Sequence, residues 1–182
     1  AGLRELVIDS VRKNLVDCLV CTGALFEQDM LEALGYNHYI QTEEIEDKVL
    51  QNLLIDRIYD HLLDELELQH VDETYKKIAK QMRSGNYSSR EFMEYCGKWL
   101  SNANGANDSV MLAAYEMNVP IFIPAINDCS IGIGLAMNQS EEKNGISIDS
   151  IKDLREIAKM KDVCGDSGIV IVGGGVPKNY SQ

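Results

Sequence analysis

No stretch of this chain is apolar for long enough to cross a bilayer. Its longest strongly apolar runs, Val119 to Pro124 and Ile169 to Val172, are strand-sized, so no membrane association is expected. The opening residues Ala1-Gly2-Leu3-Arg4-Glu5 carry an acid and lack an apolar signal core, which gives no expectation of secretion. Basic residues are scarce, with 17 Lys and Arg against 29 Asp and Glu, and the formal charge is −12. A nucleic-acid surface needs clustered cations, so none is expected; the balance suits a cationic ligand such as a polyamine, or a basic protein partner.

Metal and redox signatures are missing as well. His38, His61 and His70 show no metal-ligand spacing. Five cysteines occur, at Cys18, Cys21, Cys96, Cys129 and Cys164, but only the first two form a C-x-x-C. That pair sits in Val16-Asp17-Cys18-Leu19-Val20-Cys21, which reads as a buried strand whose pleat sends the two thiols to opposite faces. A structural role and a reducing, cytoplasmic compartment are the expectation. There is no internal repeat and no low-complexity tract. The dinucleotide fingerprint G-x-G-x-x-G is absent too.

What remains is an ordinary globular composition over 182 residues, 45% hydrophobic and 25% charged, enough for one well-cored domain. Leu3, Leu6, Val7, Val11 and Leu15 recur at helical spacing, predicting a helix over 2–14 that feeds a strand at 16–20. A second helix spans Phe26 to Leu34 and ends at Gly35. The region 43–108 reads as an irregular, partly helical insertion, with a strand-like alternation at Ile55 to Tyr59 and a clear helix at Val71 to Met82. Ser88 and Glu91 form a capping box for a helix reaching about Leu100. A loop over 101–107, a helix at Ser109 to Met117 and a strand at Val119 to Ile123 follow. Then come a helix at Gly132 to Asn138, a helix capped by Asp149 and running to about Lys159, and a last strand at Ile169 to Val172. Helices and strands alternate, which predicts an α/β fold with a parallel sheet flanked by helices on both faces.

Ligands of such sheets bind beyond the carboxyl ends of the strands. Three loops fall there: Cys21-Thr22-Gly23-Ala24, Pro124 through Gly132, and Gly173-Gly174-Gly175-Val176-Pro177-Lys178-Asn179. The small residues of the first loop and the three glycines of the third let a ligand approach the backbone, so that N–H groups can reach a pyrophosphate. Asp128 offers an acceptor for ribose hydroxyls or an amide. Each feature also has a plain alternative: a glycine turn, or Thr22 and Asp128 as helix caps.

At these residues the sequence resembles the deoxyhypusine synthase family. Asn14-Leu15-Val16-Asp17 with Thr22-Gly23-Ala24 and Asp29 is similar to its first loop. Val119-Pro120-Ile121-Phe122 through Pro124-Ala125, Asp128 and Ser130 is similar to its second, and Gly173-Gly174-Gly175-Val176 with Lys178 to its third. The resemblance thins over 43–108. It implies a Rossmann-like NAD-binding fold of the deoxyhypusine synthase type, forming one domain over 1–182. It also implies the reaction: NAD takes a hydride from spermidine, 1,3-diaminopropane leaves, and an enzyme lysine passes the aminobutyl group to a lysine of the hypusine-bearing translation initiation factor. Thr22, Gly23, Ala24, Asp128, Gly173, Gly174 and Gly175 are then the expected NAD contacts and Asn179 a substrate contact. A homotetramer or a complementary chain is the expected assembly.

Departures from the family pattern point to a bacterial or archaeal type of member. Ile133 stands where eukaryotic enzymes place a second acid, Asn179 where they have a histidine, and Gln28 replaces an acid in the first loop. The GSDSG stretch, the tryptophan and the catalytic lysine are expected beyond Gln182, so no catalytic residue is assigned within the chain, which alone is expected to be inactive. Two alternatives stay open. One is a homospermidine-synthase-like or agmatine-using polyamine enzyme; the other is a non-catalytic subunit of a heteromeric deoxyhypusine synthase.

Overall fold

The computed structural model describes residues 2–103, 106–141 and 145–182. The periodic apolar residues at the start form α1 (Arg4–Arg12), which buries Ile8 and Val11. The chain turns through Asn14 into β1 (Leu19–Val20) and α2 (Gly23–Ala33). Phe26, Met30, Leu31 and Ala33 of α2 are buried, and Gly35 follows at φ +90°, a left-handed angle that ends a helix at little steric cost only in glycine.

Within 43–108, read from the sequence as an irregular insertion, the structure contains well-formed elements. β2 (Tyr39–Ile40), α3 (Asp47–Asn52), β3 (Ile55–Ile58) and β4 (His61–Asp64) build a small antiparallel sheet in the order β2-β4-β3. α4 (Glu65–Gln81) begins on the Asp64 carboxylate, which accepts from Leu66 N and Glu67 N. After β5 (Gly85–Tyr87), α5 (Ser89–Asn102) opens with the expected capping box, Ser88 and Glu91 each bonding the other's backbone N–H. Tyr75 and Ile78 of α4 and Phe92 and Met93 of α5 are wholly buried, so these two helices build the core. The loop expected over 101–107 falls partly outside the described residues.

The remaining elements are α6 (Val110–Met117), β6 (Ile121–Phe122), α7 (Ser130–Glu141), β7 (Ile146–Ile148), α8 (Ser150–Cys164) and α9 (Val176–Ser181). β1 pairs parallel with β6, Leu19 opposite Ile121, and β5 pairs parallel with β7, Gly85 opposite Ile146. The result is an α/β fold with small parallel sheets flanked by helices. Two sequence expectations need correction. The strands at 16–20 and 119–123 shrink to two residues each. The strand at Ile169 to Val172 does not form, and its four apolar side chains stand 43–86% exposed. Apolar, β-branched residues favour a strand only when another strand supplies the hydrogen-bonding edge, and no strand among the described residues pairs with these.

With such short strands, buried carboxylates that seal helix starts carry much of the assembly. Asp29 of α2 is 1% exposed and accepts from Val110 N at 3.0 Å, Met111 N at 3.1 Å and Arg4 Nε at 2.9 Å, joining α1, α2 and α6. Asp153 of α8 is equally buried and accepts from Ser89 N and Arg90 N at the start of α5. The Ser89 hydroxyl in turn accepts from Ile123 N at 2.8 Å, tying α5 to the end of β6. Helices α4 and α7 meet closely because residue 134 is glycine: a Cβ there would lie 2.7 Å from Asp72 O and 2.8 Å from Tyr75 Cβ.

Replacing Asp29 by Ala strands two backbone donors and takes one carboxylate from Arg4, which keeps Glu5, Glu32 and Asp108 O as partners. A loss of about 3 kcal/mol or more is expected in denaturant unfolding, with Asp29→Asn intermediate; an Asp29→Ala protein as stable as the parent would refute this role. The thiols of Cys18 and Cys21 are pushed up to about 12, chiefly by burial. The exposed Cys164 is therefore expected to take a thiol-reactive label in the folded protein at neutral pH long before either of them, as peptide mass mapping would show. Equal labelling would contradict it.

Candidate functional site

Because β1 and β6 run parallel and in register, the loops that leave their carboxyl ends lie side by side. Contact between them is direct. Gly23 is buried, and a Cβ on it would sit 2.2 Å from Cys129 Sγ and 2.7 Å from Cys129 Cβ, so only glycine admits the thiol of the second loop. Cys129 Sγ is held in turn by Ile126 O at 3.2 Å. The structure thus brings together Thr22, Gly23 and Ala24 with the loop that carries Asp128.

Thr22 and Ala24 flank this contact with exposed side chains. Thr22 stands at the N-cap position of α2, yet its hydroxyl makes no capping bond, so the plain reading of Thr22 as a cap does not hold. Asp128 is exposed in the turn closed by its N–H on Ala125 O at 3.1 Å. Its neighbour Gly132 could not carry a Cβ without striking the Asn127 backbone at 2.6 Å.

Two acids that the sequence reading passed over converge here. Glu27 of α2 accepts from Ser130 N through Oε2 at 2.9 Å, at the first residue of α7. Asp72 of α4 lies near Ser130, and its Oδ1 is enclosed without a hydrogen-bond partner. Burial raises the Asp72 carboxyl from its ordinary value; the Ser130 hydroxyl opposes this, and Glu27 and Glu73 add to it. Burial likewise raises the Cys129 thiol, opposed by the Gly132 and Ile131 N–H groups. The mouth formed by the two loops is therefore acidic on three sides, from Glu27, Asp72 and Asp128. That suits an ammonium group or a sugar hydroxyl. One signal was available in the sequence: Glu27 and Asp29 flank Gln28 immediately after the small-residue loop.

The third loop stands apart. Gly173 and Gly175 adopt φ +90° and +80°, and no atom lies within 4 Å of a Cβ built on Gly173, Gly174 or Gly175. Gly175 leads into α9, where Asn179 is exposed with its N–H on Gly175 O. α9 lies against β1 and is tied to α8 by Lys161 Nζ on Ser181 O at 3.1 Å. The glycines are thus anchored close to the sheet without being seated beside the first two loops. On the other side of the Pro124–Asn127 segment a cleft of about 420 Å³ opens, lined by Ile126, Gly132, Leu135, Gln139 and Ile148, with no charged wall.

The deoxyhypusine synthase family model matches residues 1–182, the whole chain. The chain belongs to the deoxyhypusine synthase family. A deoxyhypusine synthase-like protein of Chlorobaculum parvum is 46% identical over 184 residues, covering 100% of this chain and 53% of that protein. One from Coxiella burnetii is 42% identical over 184 residues, covering 100% and 52%. The "Probable deoxyhypusine synthase 2" of Methanosarcina mazei is 42% identical over 182 residues, again covering 100% and 52%. The chain spans about half the length of these relatives. Among solved structures, an Entamoeba histolytica crystal structure bearing the deoxyhypusine synthase name superposes with a TM-score of 0.60 at 21% identity, over 88% of this chain and 49% of the other. That likeness supports the fold of this deoxyhypusine synthase family chain.

The Gly23–Cys129 contact gives a direct test of the site's construction. Gly23→Ala is expected to cost about 1–3 kcal/mol of stability by overpacking, and Cys129→Gly introduced with it to recover most of that. A double variant no more stable than Gly23→Ala alone, by thermal unfolding, would place the strain elsewhere.

Proposed function

We propose that this chain carries the NAD- and amine-binding part of a deoxyhypusine synthase, the enzyme that moves the aminobutyl group of spermidine to a lysine of the hypusine-bearing translation initiation factor. The observation that carries the reading is the Gly23–Cys129 contact, which sets the Thr22-Gly23-Ala24 turn and Asp128 side by side at the carboxyl ends of two parallel strands.

The residues present fit such a cofactor. The small turn opens onto the start of α2, whose first N–H groups lack helical partners and suit a pyrophosphate. The exposed Asp128 carboxylate suits ribose hydroxyls. NAD, when bound, supplies the acceptor for a hydride taken from an amine-bearing carbon. The chain's own residues do the rest of the work assigned here. Glu27, with one oxygen on Ser130 N, and the neighbouring Asp72 make the mouth attractive to the ammonium groups of a polyamine. Gly23 and Cys129 hold the two loops at fixed distance. Gly173, Gly174, Gly175 and Asn179 are the third proposed set of contacts, next to and on α9, which rests against β1. No catalytic lysine is assigned among the residues of this chain, and the family supports reading the assembly as tetrameric and cytoplasmic.

A second reading, in which a complementary chain supplies the lysine, draws on the exposed Ile169 to Val172 run, which a partner strand would cover. Mixing this chain with the remaining half of a longer relative separates the two.

Titration calorimetry tests the cofactor assignment. Saturable NAD binding is expected, weakened about tenfold by Asp128→Ala for the loss of one charge-assisted hydrogen bond. Absence of NAD binding up to about 1 mM, by the chain and by a longer relative alike, would overturn it. Product analysis then identifies the acceptor: aminobutylated protein supports the proposal, and homospermidine from putrescine would replace it with a small-amine transferase.

A further inference from the structure

The small sheet β2-β4-β3 lies at the far end of α2 from the acidic mouth and takes no part in it. His38, at its base, rests on Glu32 in the last turn of α2, with 3.0 Å between Nδ1 and Oε1. The mouth adjoins the first turn, about 16 Å away along the 11 residues of that helix. We infer that the outer end of the sheet, formed by Ile40, Ile58 and Tyr59 among acids, is a docking surface for a basic polypeptide segment that carries an apolar anchor. This role stands apart from the NAD and amine chemistry of the mouth.

Strand register puts the apolar residues together. Ile40 and Ile58 both pair with His61, one on each side, so the three form a row on one face of the sheet. Leu63, two residues on in β4 and therefore on the same face, is 1% exposed. That face packs on the body at Leu63 and overhangs it at Ile40, 69% exposed, and at Ile58. Tyr59 follows at the tip of the β3–β4 hairpin, 92% exposed and at φ +59°, a left-handed angle that a bulky residue adopts only at a cost. Leu54, just before β3, is likewise exposed and left-handed, at φ +55°. An aromatic ring so exposed gains little from the fold that it strains, whereas tyrosine is a frequent anchor at protein interfaces.

Charge selects the occupant. Residues 41–67 hold nine acids against Lys48 and Arg57, a formal charge of −7 out of −12 for the whole chain. Arg57 is already paired with Asp47. Asp60, exposed at the tip, holds His61 Nδ1 at 2.7 Å, and its carbonyl accepts from Gln41 N at 2.8 Å. The exposed Glu43 and Glu44 therefore leave from beside the same tip. A second copy offering this face would set −7 against −7, and an anionic membrane would be repelled in the same way. A cationic chain is attracted instead, and covering Ile40, Ile58 and Tyr59 requires an apolar side chain opposite them.

Titration of the full chain with a short synthetic peptide of alternating lysine and leucine, followed by amide chemical shifts in NMR, tests this. Shifts are expected to gather at 39–41 and 55–62, with an affinity that falls several-fold as added salt screens the charges. A peptide of alternating glutamate and leucine is expected not to bind there. Tyr59→Asn suits the left-handed position, so it should match or exceed the parent in thermal stability while weakening the lysine peptide about fivefold or more. Glu43→Lys combined with Glu44→Lys should weaken it by a similar factor through charge alone. No binding up to about 1 mM, shifts centred on the mouth, or equal binding of the glutamate peptide would overturn the proposal. So would a Tyr59→Asn protein that binds as the parent does. Sedimentation of the chain alone gives a last check: a dimer that Tyr59→Asn dissolves would assign the face to a second copy and sink the basic partner.

Discussion

The rest of the structure depends on carboxylates from one helix closing the start of another. Asp29 does this for α6 while gripping Arg4, and Asp153 does it for α5. Two-residue parallel strands supply few ladder bonds and cannot hold the flanking helices together by themselves. The first N–H groups of a buried helix need acceptors, and an acid on a neighbouring helix supplies them only when both helices are correctly placed. Each such bond therefore fixes a tertiary arrangement as well as a helix end. Ser89 extends the chain of constraint to the sheet, since its hydroxyl holds the N–H that ends β6.

Glu27 follows the same rule with a difference that matters for function. It reaches the start of α7 with one oxygen and is only half buried, whereas Asp29, two residues on, is enclosed and uses both. A single turn of α2 thus carries one acid committed to the core and another turned to the end of the sheet. The acidic mouth and the frame that supports it come from the same short segment, immediately after the Thr22-Gly23-Ala24 turn. The chain's large negative charge matters locally here, because acids gathered at one edge focus their field on a cation in a way that scattered surface acids do not.

Close approach is the second constraint. Gly23 against Cys129, Gly132 against Asn127 and Gly134 against α4 all lie around α7, and at each a Cβ would fall under 3 Å from its neighbour. The loop after β6 is thereby clamped from three directions. The third loop has no such clamp: its glycines face open space.

By itself the sequence determined what depends on neighbours along the chain. The longer helices followed from apolar spacing, though α3 and α9 did not, the start of α5 from Ser88 and Glu91, the start of α8 from Asp149, and the end of α2 from Gly35. It also determined which loops leave the strands, and the family to which their motifs belong. The tertiary structure alone decided whether Ile169 to Val172 form a strand, because an apolar run carries no information on whether an edge is available to pair with it. It alone decided that Ser130 would bind Glu27 across 103 positions, and that Gly23 would rest on Cys129. Such contacts are set by how α2, α4 and α7 pack, and no local propensity encodes a distance between residues so far apart in the chain.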